Sequence, residues 1–188
     1  MKVLCYIYEG MADFEITLLL HRLRNTGMKE IITISEGTDK IIAQSGMAYL
    51  PELTIDGIKS LDDIEALIIP GGPINQQQNA ILDLVRQMIS SRRLVAAICF
   101  GPQFLGRAGV LDNYRFTTSC SAEKIKSLGC ADPFNWDNYL EQRVVADRNL
   151  ITAQGYAFVD FACAVADYMG IFADDKQRYE QLGRVKES

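Results

Sequence analysis

Leu94-Val95-Ala96-Ala97-Ile98-Cys99-Phe100-Gly101-Pro102 is the stretch that decides the fold. Five apolar residues run without a polar break, as in a parallel strand buried on both faces. The run stops at a cysteine and passes at once into a helix-like segment, Gln103-Phe104-Leu105-Gly106-Arg107-Ala108. A strand that turns into a helix at a nucleophilic side chain reads as a nucleophile elbow, with Gly101 letting the backbone pass close beneath the turn. The free N–H groups at the start of the new helix are expected to face the sulfur and favour thiolate over thiol.

Strand-like and helix-like runs alternate on both sides of this elbow. Val3-Leu4-Cys5-Tyr6-Ile7-Tyr8, Ile31-Ile32-Thr33-Ile34 and Glu65 to Pro70 read as further buried strands. Asp13 to Asn25 reads as a helix closed by Gly27, with a stripe of Phe14 and Leu18 and with His21 and Arg22 at its edge. Ile41-Ile42 and Met47 to Leu50 read as short strands turned at Ser45-Gly46. Gln76-Gln77-Gln78 reads as a polar cap before an amphipathic helix from Asn79 to Ser91, with Ile81, Leu82, Val85 and Ile89 inward. Beyond Phe116-Thr117-Thr118 and a helix near Ala122 to Leu128, Val144-Val145-Ala146 and Leu150 to Ala153 form a hairpin-like pair turned at Asp147-Arg148-Asn149. A long helix from Ala157 to Met169 and a polar one near Asp174 to Leu182 follow. This alternation predicts an α/β fold, a flavodoxin-like, doubly wound parallel sheet with helices on both faces, as one domain over 1–188.

Composition narrows the function classes. A net charge of −5 without a Lys/Arg cluster speaks against a nucleic-acid surface. Glu9, Asp13 and Glu15 interrupt the apolar N-terminus, so no signal peptide is expected, and no run approaches bilayer length. The five cysteines (Cys5, Cys99, Cys120, Cys130, Cys163) are odd in number, scattered and free of CxxC spacing. Neither a disulfide framework nor a zinc site is expected, and the simplest location is a reducing cytoplasm. There is no GxGxxG or P-loop and no acidic cluster, so no cofactor and no metal are expected.

In an open parallel sheet, chemistry collects past the carboxyl ends of the strands. Three loops leave such ends: Glu9 to Phe14, Gly71 to Ile74, and Cys99 to Pro102. Gly71-Gly72 is side-chain-free backbone suited to present N–H groups to an oxyanion beside the Phe100 amide. Glu15, in the first turn of the first helix, is placed to reach Cys99. If it were ionised there it would raise the thiol pKa, so a reactive sulfur requires a buried, protonated Glu15.

Gly10-Met11-Ala12-Asp13-Phe14-Glu15, Ile68-Ile69-Pro70-Gly71-Gly72 and Ala96 to Pro102 together resemble the three site motifs of the DJ-1/PfpI (ThiJ/PfpI) superfamily, with its glutamine amidotransferase-like fold. Leu150-Ile151-Thr152-Ala153-Gln154-Gly155 resembles its late strand-to-helix signature. The resemblance implies a homodimer with Cys99 as the elbow cysteine and Glu15 as its protonated partner. It also implies activities in the family's range: glyoxalase- or deglycase-like chemistry on 2-oxoaldehydes, proteolysis, chaperoning or peroxide sensing, in a stress response.

The chain departs from the pattern at the family's histidines. Phe100 follows the elbow cysteine, and Ser119 stands where a TTH-type segment would carry His. The sole histidine, His21, falls two turns past Glu15 and is expected to point away from the strand ends. Arginines that help some relatives hold an oxidised sulfur are replaced by Gly46 and Gln154. Protease chemistry is therefore disfavoured, and turnover through Cys99 and Glu15 is expected to be slow. Gly72 and Phe100 are the expected oxyanion donors, with Gly71, Ser119 and Cys120 as accessories, Cys120 as a resolving thiol. The expected partner is a small electrophile or oxidant. A cysteine redox sensor and a non-catalytic binding module are the rival readings.

Overall fold

The computed structural model describes residues 1–74 and 79–187; the expected cap at Gln76-Gln77-Gln78 lies outside them. Its centre is a seven-stranded sheet. In chain order the strands are β1 (Lys2–Tyr6), β2 (Glu30–Ser35), β5 (Leu53–Thr54), β6 (Ile64–Ile69), β7 (Leu94–Ile98), β8 (Val144–Asp147) and β9 (Leu150–Ala153). They stand side by side as β5-β2-β1-β6-β7-β9-β8, all parallel except the edge strand β8. β3 (Ile41–Ile42) and β4 (Ala48–Tyr49) form a separate antiparallel hairpin, as the Ser45-Gly46 turn predicts.

The order follows from the winding. From β1 the chain moves outward through α1 (Phe14–Asn25) to β2, then crosses back to β6 and moves the other way through α2 (Ala80–Ser90) to β7. Right-handed crossovers running in opposite directions put their helices on opposite faces. Accordingly α1 packs on α5 (Phe158–Tyr168), and α2 packs on α3 (Pro102–Arg107), with the short α4 (Ala122–Leu128) lying between α3 and α5 in the chain. The reversal of direction lies between β1 and β6, and it opens a crevice at their carboxyl ends beside the end of β7.

Burial explains why the central strands read as unbroken apolar runs. Every residue of β7 and β9 is buried, and β1 and β6 are buried except at Lys2 and Glu65, which are half-buried. α1 corrects the expected stripe. Its buried face is Glu15, Ile16, Leu19 and Leu23, one position on from Phe14, Leu18 and Arg22, and Phe14 and His21 face outward. Both registers carry leucines, and the one chosen takes a carboxylate into the interior. The expected C-terminal helix is broken into α6 (Asp175–Arg178), a π-helical turn over Tyr179–Gly183 and α7 (Arg184–Glu187). Among the described residues no helix is long and apolar enough to cross a membrane.

Candidate active site

Cys99 sits one residue past β7 with φ of +60°, a left-handed conformation that a non-glycine residue adopts only when its surroundings impose it. Those surroundings are backbone bonds. The Cys99 amide donates to the Ala153 carbonyl of β9 at 2.8 Å, and the Cys99 carbonyl accepts from Ser119 N–H at 3.0 Å and from the Thr118 hydroxyl at 2.6 Å. Below the turn, a Cβ on Gly101 would stand 2.8 Å from the carbonyl oxygens of both Ile69 and Pro70, so only glycine lets the elbow lie against the end of β6.

Glu15 approaches from α1. It is 2 % exposed, which meets the burial that a reactive pair requires. The Gly71 N–H donates to Glu15 Oε2 at 2.8 Å, and the Ala12 N–H donates to the Gly71 carbonyl at 2.8 Å, so the loops after β1 and β6 fix each other. Gly71 therefore spends its amide on the carboxylate and is not an oxyanion donor. Two glycines enclose the pair. A Cβ on Gly71 would lie 2.6 Å from both Cys99 Cβ and Glu15 Oε2, and one on Gly155 would lie 2.9 Å from both Cys99 Sγ and Glu15 Oε1.

Burial raises the Glu15 carboxyl above its ordinary range, although the contacts from Cys99 and the Gly71 N–H pull the other way. The Cys99 thiol is pushed up to about 12, first by burial and then by the Glu15 charge and the hydrogen bond between the two. The Ser119 hydroxyl and the Phe100 N–H work against this rise without overcoming it. Helix α3 contributes less than its position promised. Gly101 N–H bonds the Ile98 carbonyl, Gln103 N–H bonds the Phe100 carbonyl, and Pro102 has no N–H, which leaves the Phe100 amide to the sulfur. The Phe100 N–H does favour thiolate, as expected of the helix start, but burial and Glu15 outweigh it. The two groups titrate as a unit: one proton leaves above the usual carboxyl value and the second near 12.

The pair opens into a cleft of about 510 Å³ whose polar lining includes Ser119 and Gln44, with Gly72 on its wall. Among the described residues the Gly72 amide bonds no other group, so it stays available to a ligand. Ser119 Oγ accepts from the Gly155 N–H at 2.8 Å and lies 3.2 Å from Gln154 Oε1, to which it donates. Gln154 is held in turn by its own donation to Thr117 Oγ1 at 2.8 Å. Cys120 does not line the cleft; it is buried, with its thiol 3.7 Å from the Ser121 carbonyl. Phe134 stacks on Phe116, while Trp136 meets that ring tilted and Tyr139 edge-on, in an aromatic cluster outside the cleft. Among the described residues no three His, Cys, Asp or Glu side chains gather as a metal site.

Sequence reasoning missed Gly155, Gln44 and Asp13. Asp13 is 2 % exposed and turns away from its helix to accept from Ser45 Oγ at 2.5 Å and Tyr49 Oη at 2.9 Å. Burial opposes its charge, but these hydroxyls prevail and hold its pKa below the ordinary value. The bonds clamp the β3–β4 hairpin over the site, with Gln44 N–H donating to the Met11 carbonyl at 2.9 Å. A strand end followed by Gln154-Gly155 was the only signal for Gly155, and it repeats the grammar of the cysteine elbow.

The sequence model of the DJ-1/PfpI family matches residues 1–167. The chain belongs to the DJ-1/PfpI family. A DJ-1 superfamily protein of Agrobacterium tumefaciens, Atu0886, superposes with a TM-score of 0.84 at 26 % identity, each chain covered completely. The thiJ/pfpI family protein of Bacillus anthracis superposes at 0.82 with 25 % identity, over 96 % of this chain and 88 % of its own. Deglycase TK1284 of Thermococcus kodakarensis is 28 % identical over 158 residues, 82 % of this chain and 90 % of that protein. The DJ-1/PfpI assignment accounts for the doubly wound sheet and for the convergence of the three loops.

Proposed function

We propose that this DJ-1/PfpI protein is a cysteine-dependent enzyme of small carbonyl electrophiles, glyoxalase- or deglycase-like, with Cys99 as nucleophile and Glu15 as proton carrier. The observation that carries the reading is the buried Glu15 carboxylate packed with the Cys99 thiol between Gly71 and Gly155. A scaffold without chemistry has no use for a carboxylate taken out of water beside a thiol at an elbow. Relatives named deglycases support the substrate class.

With a 2-oxoaldehyde the steps balance as follows. The Cys99 thiol passes its proton to the Glu15 carboxylate, the resulting thiolate attacks the aldehyde carbon, and the carbonyl π electrons move to oxygen. That oxygen receives the Glu15 proton, giving a neutral hemithioacetal and a Glu15 carboxylate. Glu15 then removes the hydrogen from the same carbon and returns it to the neighbouring carbonyl carbon, whose oxygen takes up the hydroxyl proton. The first carbon is oxidised to a thioester and the second is reduced to an alcohol. Water cleaves the thioester, releasing a 2-hydroxy acid and restoring the thiol. Gly72 N–H and Phe100 N–H serve the developing oxyanion, and the Ser119 hydroxyl turns from Gln154 Oε1 to donate to the sulfur when it is charged. No imidazole is present to activate the water, because His21 faces outward from α1. Thioester cleavage is therefore the slow step, and a burst of one equivalent precedes slow turnover.

The test is methylglyoxal consumption by the wild type, Cys99→Ala and Glu15→Gln, with intact mass spectrometry during the first turnover. The expected result is a covalent adduct on the wild type alone and loss of turnover in both variants. Equal rates in all three proteins would refute the reading.

A further inference from the structure

Four aromatic rings line the cleft that holds Cys99. Phe14 and Phe158 meet edge to face, with centroids 5.8 Å apart and planes at 80°, and form one wall. Phe100 and Tyr156 complete the ring-bearing surface. Phe14 is 54 % exposed and Tyr156 66 %, so apolar ring surface stands in water next to the nucleophile. Among the described residues the only acidic or basic side chain in the lining is Glu15, packed against Cys99. Arg143 lies over the Tyr156 ring at 5.0 Å from its centroid but is paired with Asp160, and neither of them lines the cleft.

These features select among electrophiles. A planar or branched apolar substituent on the carbonyl would cover the Phe14, Phe158 and Tyr156 rings and remove their faces from water. A carboxylate substituent would lie beside the Glu15 carboxyl with, among the described residues, no cation in the lining to receive it. We infer that the cleft takes uncharged electrophiles with an aryl or bulky alkyl substituent, such as aryl 2-oxoaldehydes, in preference to small ones and against carboxylate-bearing ones such as 2-oxo acids. The inference rests on Cys99 being the nucleophile of this cleft, and it concerns what the cleft admits rather than whether turnover follows.

The experiment measures second-order alkylation of Cys99 by iodoacetanilide, iodoacetamide and iodoacetate, using peptide mass spectrometry. Each rate is divided by the rate of the same reagent with free glutathione, which removes intrinsic reactivity. The normalised rate is expected to be about tenfold higher for the anilide than for the amide, and about tenfold lower for the acetate. Phe158→Leu and Tyr156→Ser should each cut the anilide-to-amide ratio severalfold, and the ratio within one protein is insensitive to the fraction folded. Equal normalised rates, or acetate reacting fastest, would overturn the selectivity while leaving Cys99 as the nucleophile. No labelling of Cys99 by any reagent would overturn the catalytic reading and this inference with it.

Discussion

Replacing Gly155 or Gly71 by alanine isolates the crowding around the Cys99–Glu15 pair. Neither glycine has a left-handed φ, so the backbone accepts alanine and the effect reports on the added methyl group. At Gly155 that carbon would stand 2.9 Å from Cys99 Sγ and from Glu15 Oε1; at Gly71 it would stand 2.6 Å from Cys99 Cβ and Glu15 Oε2. Packed carbon contacts relax near about 3.5–4.0 Å, so sulfur and carboxylate must be pushed back by at least roughly half an ångström. Such overpacking costs about 1–3 kcal/mol. The stiffer unfolded chain offsets about 0.4–1 kcal/mol of this. The net loss of about 1–2 kcal/mol lowers Tm by roughly 2–8 °C for a chain of this length, more at Gly71 than at Gly155. Separating the pair also weakens its coupling, so the upper titration of Cys99 moves down from near 12 toward the ordinary thiol value. Thermal unfolding and the pH profile of Cys99 alkylation test both consequences. Two variants with unchanged Tm and unchanged profiles would refute the packing argument.

Glu15→Gln keeps an acceptor for the Gly71 N–H and removes the titration. Because folding raises the Glu15 pKa, the folded state keeps a proton that the unfolded chain loses above about 4.3, and stability falls as pH rises through that window. The variant should therefore gain stability relative to wild type between pH 4 and pH 7 in urea titrations; a pH-independent difference contradicts the burial of this charge. Asp13→Asn runs the other way. Its lowered pKa gives stability that is present above the ordinary value of about 3.9 and lost as pH falls through the folded value. The variant should be about 1–3 kcal/mol weaker at neutral pH, with the gap closing in acid. A gap that persists at low pH would show that the carboxylate charge is irrelevant. Ser119→Ala removes a donor to the sulfur, so alkylation of Cys99 at neutral pH should fall about tenfold, the equilibrium equivalent of about 1.4 kcal/mol. An unchanged rate would free Ser119 from any role at the thiol.

Much of the fold was legible because parallel strands buried on both faces leave apolar runs, and β1, β6 and β7 show them. The cysteine elbow was legible for a related reason, since a strand that ends at a cysteine and a glycine has few ways to continue. The face of α1 was not. Phe14 and Leu18 outrank Glu15 on any hydropathy argument, yet the helix buries Glu15 and leaves Phe14 in the cleft wall. That choice is made by the Gly71 amide, 56 positions away, which no local pattern encodes. Gly155 escaped notice because a residue without a side chain offers no chemistry to propose; its contribution is the space it leaves. Asp13 and Gln44 depend on where the β3–β4 hairpin docks, a contact between segments whose own sequences are silent about it. The weak help from α3 came from counting helix N–H groups before knowing which the elbow had already used.

The elbow also fixes how an oxidised Cys99 can be repaired. Its amide belongs to the sheet ladder through Ala153, and its carbonyl is held by Thr118 and Ser119. A sulfur so anchored does not travel, and a disulfide needs its two Cα atoms within about 7 Å and their side chains turned toward each other. Cys120, buried and turned to its own neighbour, does not offer itself through the cleft. A thiol that reduces a sulfenic acid at Cys99 through the open cleft then arrives from solution, and the recovery rate by that route follows its concentration and size.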